Sequence, residues 1–408
     1  MKGVSMGWLK EKLQQEVLDS IDLTTEISDN DLLCVIDDIL VVKSKENYIS
    51  MQEKRRLRRD IFNSIRKLDL LQDMIDDPSI TEIMVNGRKD IFIEKDGMIT
   101  RADKCFESEE KLEDVVQQIV SQSNRIVNAS SPIVDARLPD GSRVNIVLPP
   151  VALDGPVITI RRFPENPITI EELVEYKSIS LEVAKFLEKL VIARYNIFIS
   201  GGTGSGKTTF LNVLSNYIPN SERIITIEDS AELQLRGISN LVRMEVRNGN
   251  TEGSNQISIR DLIKTSLRMR PDRIIVGEVR DEAAIDMLQA LNTGHDGSLS
   301  TGHANSPKDM LSRLEALVLM GADIPLMAVR KQIASAIDII VHLGRLRDKS
   351  RKVLEVSEVL DIENQEITLN PLYRFVEKSE EKGKIVGQLE KVGNLIYTEK
   401  LDRAGIKI

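Results

Sequence analysis

The chain has 408 residues, 41% hydrophobic and 29% charged, with a formal net charge of −9. Those values fit a globular protein of two or three domains, and no apolar run approaches the roughly 18 residues that a membrane span needs. Two distant cysteines, Cys34 and Cys105, give neither a disulfide framework nor a zinc pattern. The acidic balance argues against bulk attraction to nucleic acid, though it leaves room for a local basic groove.

The first residues, Met1 to Trp8, carry no long apolar core and no cleavage signature, so the expected location is cytoplasmic. Residues 1–70 read as a small unit of three helices. Asp29 to Val42 places Leu32, Leu33, Val35, Ile36, Ile39 and Leu40 at amphipathic spacing. The basic run Lys54-Arg55-Arg56-Leu57-Arg58-Arg59 lies on the third helix. It reads either as a solvated face or as a surface for an anionic partner.

Residues 71–165 change to an α+β pattern. Thr81 to Val85 is a strand ending in the turn signal Asn86-Gly87, followed by short paired strands at Asp90–Glu94 and Gly97–Thr100. Glu109 to Gln122 reads as a helix. Strands follow at Val134–Arg137, Arg143–Val147 and Val157–Arg162, and Phe163-Pro164-Glu165-Asn166-Pro167 reads as a linker. From about 170 helix and strand alternate, the mark of a parallel sheet covered by helices. A domain over 166–375 and an extension over 376–408, with short strands and a charged turn at Glu380–Lys384, complete the expected organisation. Residues 243–257 read as a mobile, Gly- and Asn-rich loop.

The informative stretch is Gly201-Gly202-Thr203-Gly204-Ser205-Gly206-Lys207-Thr208-Thr209, which fits G-x-x-x-x-G-K-[ST]. A buried-strand run, Tyr195 to Ile199, precedes it, and helix-spaced apolar residues follow from Phe210. Glycines let backbone N–H groups curl around a polyphosphate, and the helix N-terminus adds partial positive charge. Lys207 can reach the β- and γ-phosphates, and the Thr208 hydroxyl can ligate Mg²⁺. The expected ligands are therefore ATP and Mg²⁺.

Such a site needs an acid at the end of a neighbouring strand. Glu228 closes Arg223–Ile227 and Glu278 closes Arg273–Gly277, so both qualify, with Glu278 also a candidate Mg²⁺ ligand. Gly294 to His303, rich in glycine and hydroxyls, reads as a loop that brings His303 to a γ-phosphate. Arg137, Arg143, Arg161 and Arg162 precede the linker. They read as solvated strand charges or as arginine fingers for the γ-phosphate.

Taken in order, these motifs resemble those of the secretion-system ATPase superfamily, which powers type II secretion, type IV pili and conjugative type IV secretion. Ile227 to Leu233 looks like its aspartate box, and Leu267 to Arg280 like its Walker B region, with Glu278 where Asp is more usual. Asn292 to Asn305 looks like its histidine box, and Asp135 to Arg143 like the signature of its N-terminal domain. Within the superfamily the wording Met269 to Arg280 and the helical extension favour the Tad/Flp pilus branch (CpaF-type). The conjugative branch is the alternative, and a RecA-like DNA translocase a further one. The absence of a four-cysteine zinc insertion counts against the type II and extension branches.

The resemblance implies an α/β fold: a RecA-like P-loop ATPase domain preceded by an α+β, PAS-like domain and the small helical unit. It implies a homo-hexamer at the inner face of the membrane, docked on a platform protein, with no stable nucleic-acid binding. ATP would lie between the two main domains, and domain rotation would drive pilus assembly or secretion. Glu228, Glu278 and His303 would be catalytic, joined by Arg143, Arg161 and Arg162.

Overall fold

The structure is a computed structural model that describes residues 6–21, 27–46, 49–95, 97–123, 125–163, 167–247 and 256–408. The first residues, the middle of the expected linker (164–166) and most of the expected mobile loop (248–255) lie outside the described residues. The chain divides into two compact units, Met1–Glu165 and Asn166–Ile408.

The first unit opens with α1 (Met6–Asp19), α2 (Asp29–Glu46) and α3 (Met51–Arg66). Their apolar residues, spaced i, i+4, close a small core of Leu13, Val17, Leu32, Ile36, Leu40, Leu57 and Ile61. Ser50 starts α3 with a capping box: its hydroxyl accepts from Glu53 N, and the Glu53 carboxylate accepts from Ser50 N. The basic run on α3 meets acids of its own unit, with Arg58 at 2.7 Å from Asp37 and Arg59 at 3.2 Å from Asp73. These pairs favour the solvated-face reading.

After α4 (Leu70–Asp76) come β1 (Ile80–Asn86), β2 (Asp90–Lys95), β3 (Met98–Arg101), α5 (Glu109–Gln122), β4 (Ile133–Arg137), β5 (Arg143–Val147) and β6 (Val157–Arg161). They form an antiparallel sheet in the order β3-β2-β1-β6-β5-β4. Alternation in the strands puts Ile83, Val85, Val144, Ile146, Ile158 and Ile160 on one face, against Leu112, Val116 and Ile119 of α5. The other face carries the polar alternates. Gly87 turns the first hairpin at φ +69, and a Cβ there would come within 2.6 Å of Asp154 O.

The second unit contains α6 (Ile170–Glu175), α7 (Leu181–Ile192), β7 (Ile197–Gly201), α8 (Lys207–Ser215), β8 (Arg223–Glu228), β9 (Asn240–Glu245), α9 (Ile259–Ser266), β10 (Arg273–Val276), α10 (Ala283–Leu291), β11 (Leu299–Gly302), α11 (Pro307–Gly321), α12 (Leu326–Ala336), β12 (Ile339–Arg345), β13 (Arg351–Glu363), β14 (Glu366–Glu381), β15 (Lys384–Lys391) and α13 (Glu399–Ala404). One nine-stranded sheet runs β15-β14-β13-β12-β7-β11-β10-β8-β9. From β12 to β9 all neighbours are parallel, and β12 to β15 are antiparallel. The parallel strands are covered on both faces, which explains why β7 and β11, and β10 after Arg273, are apolar or small.

Three expectations change. The Gly294–His303 stretch is not one loop: its second half is β11, buried between β7 and β10. Its small residues fit because Phe198 and Met310 crowd that strand to 3.0 Å of a Cβ at Gly302. The expected loop from residue 243 begins inside β9, which pairs with β8 through Glu245. The strands after residue 345 are long rather than short, and the expected boundary at 375 falls within β14. The charged turn at Lys382-Gly383 has positive φ at both residues and closes a hairpin.

Candidate nucleotide-binding and catalytic site

β7 is the middle strand of the nine-stranded sheet, and its C-terminal end delivers the glycine loop into α8. Gly204 and Gly206 have φ +71 and +93, left-handed values that side chains rarely adopt. Gly206 is the cap residue of α8, so the loop's last turn presents free N–H groups at the helix N-terminus. Ser205 Oγ donates to Gly202 O at 2.8 Å and braces the loop. Lys207 is buried at the first turn. Its Nζ lies 3.2 Å from both Gly202 O and His303 Nδ1.

Glu278 follows β10 and His303 follows β11, so the sheet order brings both beside the loop. His303 Nε2 lies 3.1 Å from Glu278 Oε1. Arg280 grips the same carboxylate, at 2.9 Å to Oε1 and 3.0 Å to Oε2, and reaches Asp229 Oδ2 at 3.2 Å. Lys207, His303, Glu278, Arg280 and Asp229 thus form one connected line. Burial pushes the Glu278 carboxyl up, but Arg280, His303 and Lys207 outweigh it and hold it below its ordinary value. Burial, and then Lys207, push His303 down. A neutral His303 accepts from Lys207 at Nδ1 and carries its proton on Nε2, which is near Glu278 Oε1 but off the line of a hydrogen bond.

Glu228 ends β8 differently. One carboxylate oxygen accepts from Glu232 N at 2.7 Å and Leu233 N at 2.9 Å, which folds the chain after β8. The other is buried without a hydrogen-bond partner. Burial pushes the group up to about 7. A Cβ on Gly277 would meet Glu228 Cγ at 3.0 Å, so the strand-end glycine before Glu278 leaves room for the Glu228 side chain.

The remaining expected residues divide. The side chain of Thr208 is on the first turn of α8, beside Lys207 and Thr209. His295 lies at the opposite end of β11 from His303, with Nδ1 3.1 Å from Ala290 O, outside the line described above. In the first unit, Arg137, Arg143 and Arg161 are cross-strand neighbours at one edge of the open sheet face. Arg143 lies 3.8 Å from Asp135. Arg162 instead donates to the carbonyls of Asp77 and Ile80, a link within its own unit.

Sequence reading had not singled out Arg280 for a role, or the buried His342, whose Nδ1 lies 2.9 Å from Ser200 Oγ just before the glycine loop. Arg280 had a signal, a cation two residues after a strand-end acid. His342 had none, because its partner is 142 residues away. Beside the loop lies a cavity of about 160 Å³, lined by Ile168, Tyr176, Ser178, Thr209, Phe210 and Arg351 among others.

The family described as Type II/IV secretion system protein matches residues 65–386. The chain is 35% identical over 304 residues to the conjugal transfer protein TrbB of Rhizobium radiobacter, covering 72% of this chain and 90% of that protein. It is 31% identical over 316 residues to the protein VirB11 of Rhizobium radiobacter, covering 70% and 90%. Among solved structures, the Legionella pneumophila ATPase DotB is similar at a TM-score of 0.51 and 21% identity, over 71% of this chain and 79% of that one. That likeness supports the mixed α/β fold.

Proposed function

The chain belongs to the type II/IV secretion system protein family, and on that premise we propose that it is a motor that hydrolyses ATP to drive transport at a membrane. The observation that carries this is the line from Lys207 through His303 to Glu278 beside a glycine loop at the end of β7. The relatives named for conjugal transfer and VirB11 favour a conjugative or type IV secretion apparatus over the Tad/Flp pilus branch. The Tad/Flp reading keeps one supporting observation: a folded unit, α1 to α3, almost wholly ahead of the family match. No helix among the described residues is long and apolar enough to cross a membrane, which suits a motor that docks on a platform protein.

In this reading the N–H groups of Gly204 to Thr209 hold the phosphates. Lys207 exchanges Gly202 O and His303 for phosphate oxygens. Ionised Glu278 orients and accepts a proton from the attacking water, and His303, once Lys207 leaves its Nδ1, is free to meet the γ-phosphate. The first-turn hydroxyl of Thr208 and the carboxylate of Glu278 are hard oxygen donors that suit Mg²⁺. No cluster of three or more His, Cys, Asp or Glu that could hold a metal is present among the described residues. Mg²⁺ there would neutralise β- and γ-phosphate charge. Glu228 supports the site by shaping the segment after β8. For the arginines, the proposal narrows to Arg143 and Arg161, since Arg162 is committed to two carbonyls.

The test is Mg²⁺-dependent hydrolysis by the purified full chain, with particle mass measured with and without nucleotide. Turnover above background, abolished in Lys207→Ala, and a six-subunit particle are the expected results. Absence of turnover with every nucleotide would overturn the motor reading.

A further inference from the structure

The chain after β12 reaches the glycine loop through Arg351. Arg351, the first residue of β13, donates from Nε to Gly204 O at 3.0 Å. Its Cδ would lie 3.6 Å from a Cβ placed on Gly206. The guanidinium is exposed, and its two terminal NH₂ groups have no partner among the described residues. Arg351 also lines the cavity beside the loop, together with Thr209, Phe210, Tyr176 and Ile168.

Chain direction says which part of a nucleotide meets that side. The loop wraps the β-phosphate, and the N–H groups of the first α8 turn lead outward past it. The cavity opens beside Thr209 and Phe210 of that turn, where an α-phosphate and nucleoside would leave the loop. Its apolar walls suit a base and its hydroxyls a sugar.

Arg351 is held there from the far end of the molecule's second sheet. The turn between β12 and β13, residues 346–350, carries Asp348. Its carboxylate accepts from Ser350 N at 2.9 Å and Ser350 Oγ at 2.6 Å, and from Ile385 N of β15 at 2.8 Å. Arg347 in the same turn pairs with Glu380 at 3.0 Å and with Glu377, both on β14. On the other side Lys352, buried, donates to Lys177 O at 2.8 Å. The β14–β15 hairpin therefore fastens the turn that aims Arg351.

We propose that Arg351 is a nucleotide ligand that donates to the α-phosphate or ribose of a nucleoside di- or triphosphate, and that the C-terminal hairpin sets nucleotide affinity by fixing the turn beneath it. This rests on the nucleotide-site reading above. Nε on Gly204 O fixes the plane of the fork, so the two NH₂ groups arrive pre-organised for bidentate donation. A contact short of the γ-phosphate acts equally on ATP and ADP. Arg351 is therefore separable from His303 and Glu278, which act at the γ end.

The experiment measures dissociation constants of the full chain for fluorescent ADP and for a non-hydrolysable ATP analogue. Arg351→Ala is expected to weaken both by about tenfold and by the same factor. Asp348→Ala, which leaves Arg351 intact, is expected to weaken both about threefold, with a melting midpoint near the parent's. Arg347→Ala gives the same test through the Glu377 and Glu380 pairs, should Asp348→Ala melt early. Parent-like ADP affinity in Arg351→Ala, beside loss of binding in Lys207→Ala, overturns this inference and leaves the nucleotide site standing. An effect on the ATP analogue alone overturns it too, by moving the contact to the γ-phosphate. Parent-like affinity in both turn variants overturns the hairpin's part. If the parent chain binds no nucleotide, the underlying reading itself fails.

Discussion

Two glutamates at neighbouring strand ends are driven in opposite directions by their surroundings. Glu278 is ringed by Arg280, His303 and Lys207 and stays ionised. Glu278→Gln should keep nucleotide affinity within about twofold and lower turnover by about a hundredfold, because the amide cannot accept a water proton. Equal turnover in variant and parent would make Glu278 a structural residue. Lys207→Ala should weaken ADP about tenfold or more, the value of a charge-assisted contact to phosphate. Titration calorimetry reads it directly. Glu228, buried with one oxygen unpartnered, is raised from 4.5 to about 7. Between those values the folded chain binds more protons than the unfolded one, so stability falls as pH rises from about 4.5 to 7 and levels above. Glu228→Gln keeps an acceptor for Glu232 N and Leu233 N and removes that dependence. Its stability at pH 8 should exceed the parent's by about 3 kcal/mol, with a flatter profile in urea unfolding between pH 5 and 7. A profile parallel to the parent's would show that Glu228 does not titrate there.

At the scale of elements, the site depends on how β10 and β11 are anchored at the end away from the glycine loop. Arg273, fully buried at the start of β10, pairs with Glu222 at 2.7 and 2.8 Å and donates to Val191 O at 2.6 Å and Gly297 O at 3.2 Å. One guanidinium so joins the end of α7, the start of β8 and the turn before β11. Glu222→Ala would leave that buried cation without its carboxylate. A loss of about 3–5 kcal/mol in thermal or urea unfolding is expected, larger than for any exposed pair on this chain. A loss under 1 kcal/mol would mean that solvent reaches Arg273 in the variant. At the loop end, Ser306 caps α11 three residues after His303, with Oγ accepting from Asp309 N at 3.0 Å and Pro307 at the first helical position. That start signal is local and readable in sequence; the Arg273 anchor is not.

For the whole molecule, the last residues are part of the second unit's packing. Leu401 of α13 is buried in the core with Leu187 and Tyr195. Tyr195 Oη donates to Tyr397 O at 2.7 Å, and the buried Glu358 carboxylate accepts from Ile396 N and Tyr397 N. Lys400 bridges Asp296 at 2.9 Å and Asp338 at 2.6 Å, beneath the sheet edge opposite the glycine loop. A chain ending at Lys391 takes two backbone donors from the buried Glu358 and the Lys400 cation from the part-exposed Asp338, and opens the core. Its melting midpoint should fall by about 10 °C or more. Leu401→Ala alone should cost about 2–5 kcal/mol. An unchanged midpoint for the shortened chain would make α13 an appendage.

The glycine loop, its strand and helix, and the acids closing β8 and β10 were legible in the sequence because each depends on neighbours within a few residues. So were the strands of the first unit and the ends of α5, where period-two and helical patterns are clean and Ser108 caps the helix. The buried strand β11 was not legible, because Ser, Thr and Gly side by side look like a loop until helices pack on both faces. Nor were the roles of Arg280, Arg273 and Arg351, or the link of Arg162 to two carbonyls of its own unit. Each of these is decided by what stands opposite a side chain. The Arg351 contact with Gly204 spans 147 residues, and only the strand order of the sheet brings two such distant groups within hydrogen-bonding distance. A sequence determines which residues can donate, accept or turn. Which of those groups meet follows from the tertiary packing, since a hydrogen bond depends on distance and angle between atoms that the chain itself does not hold together.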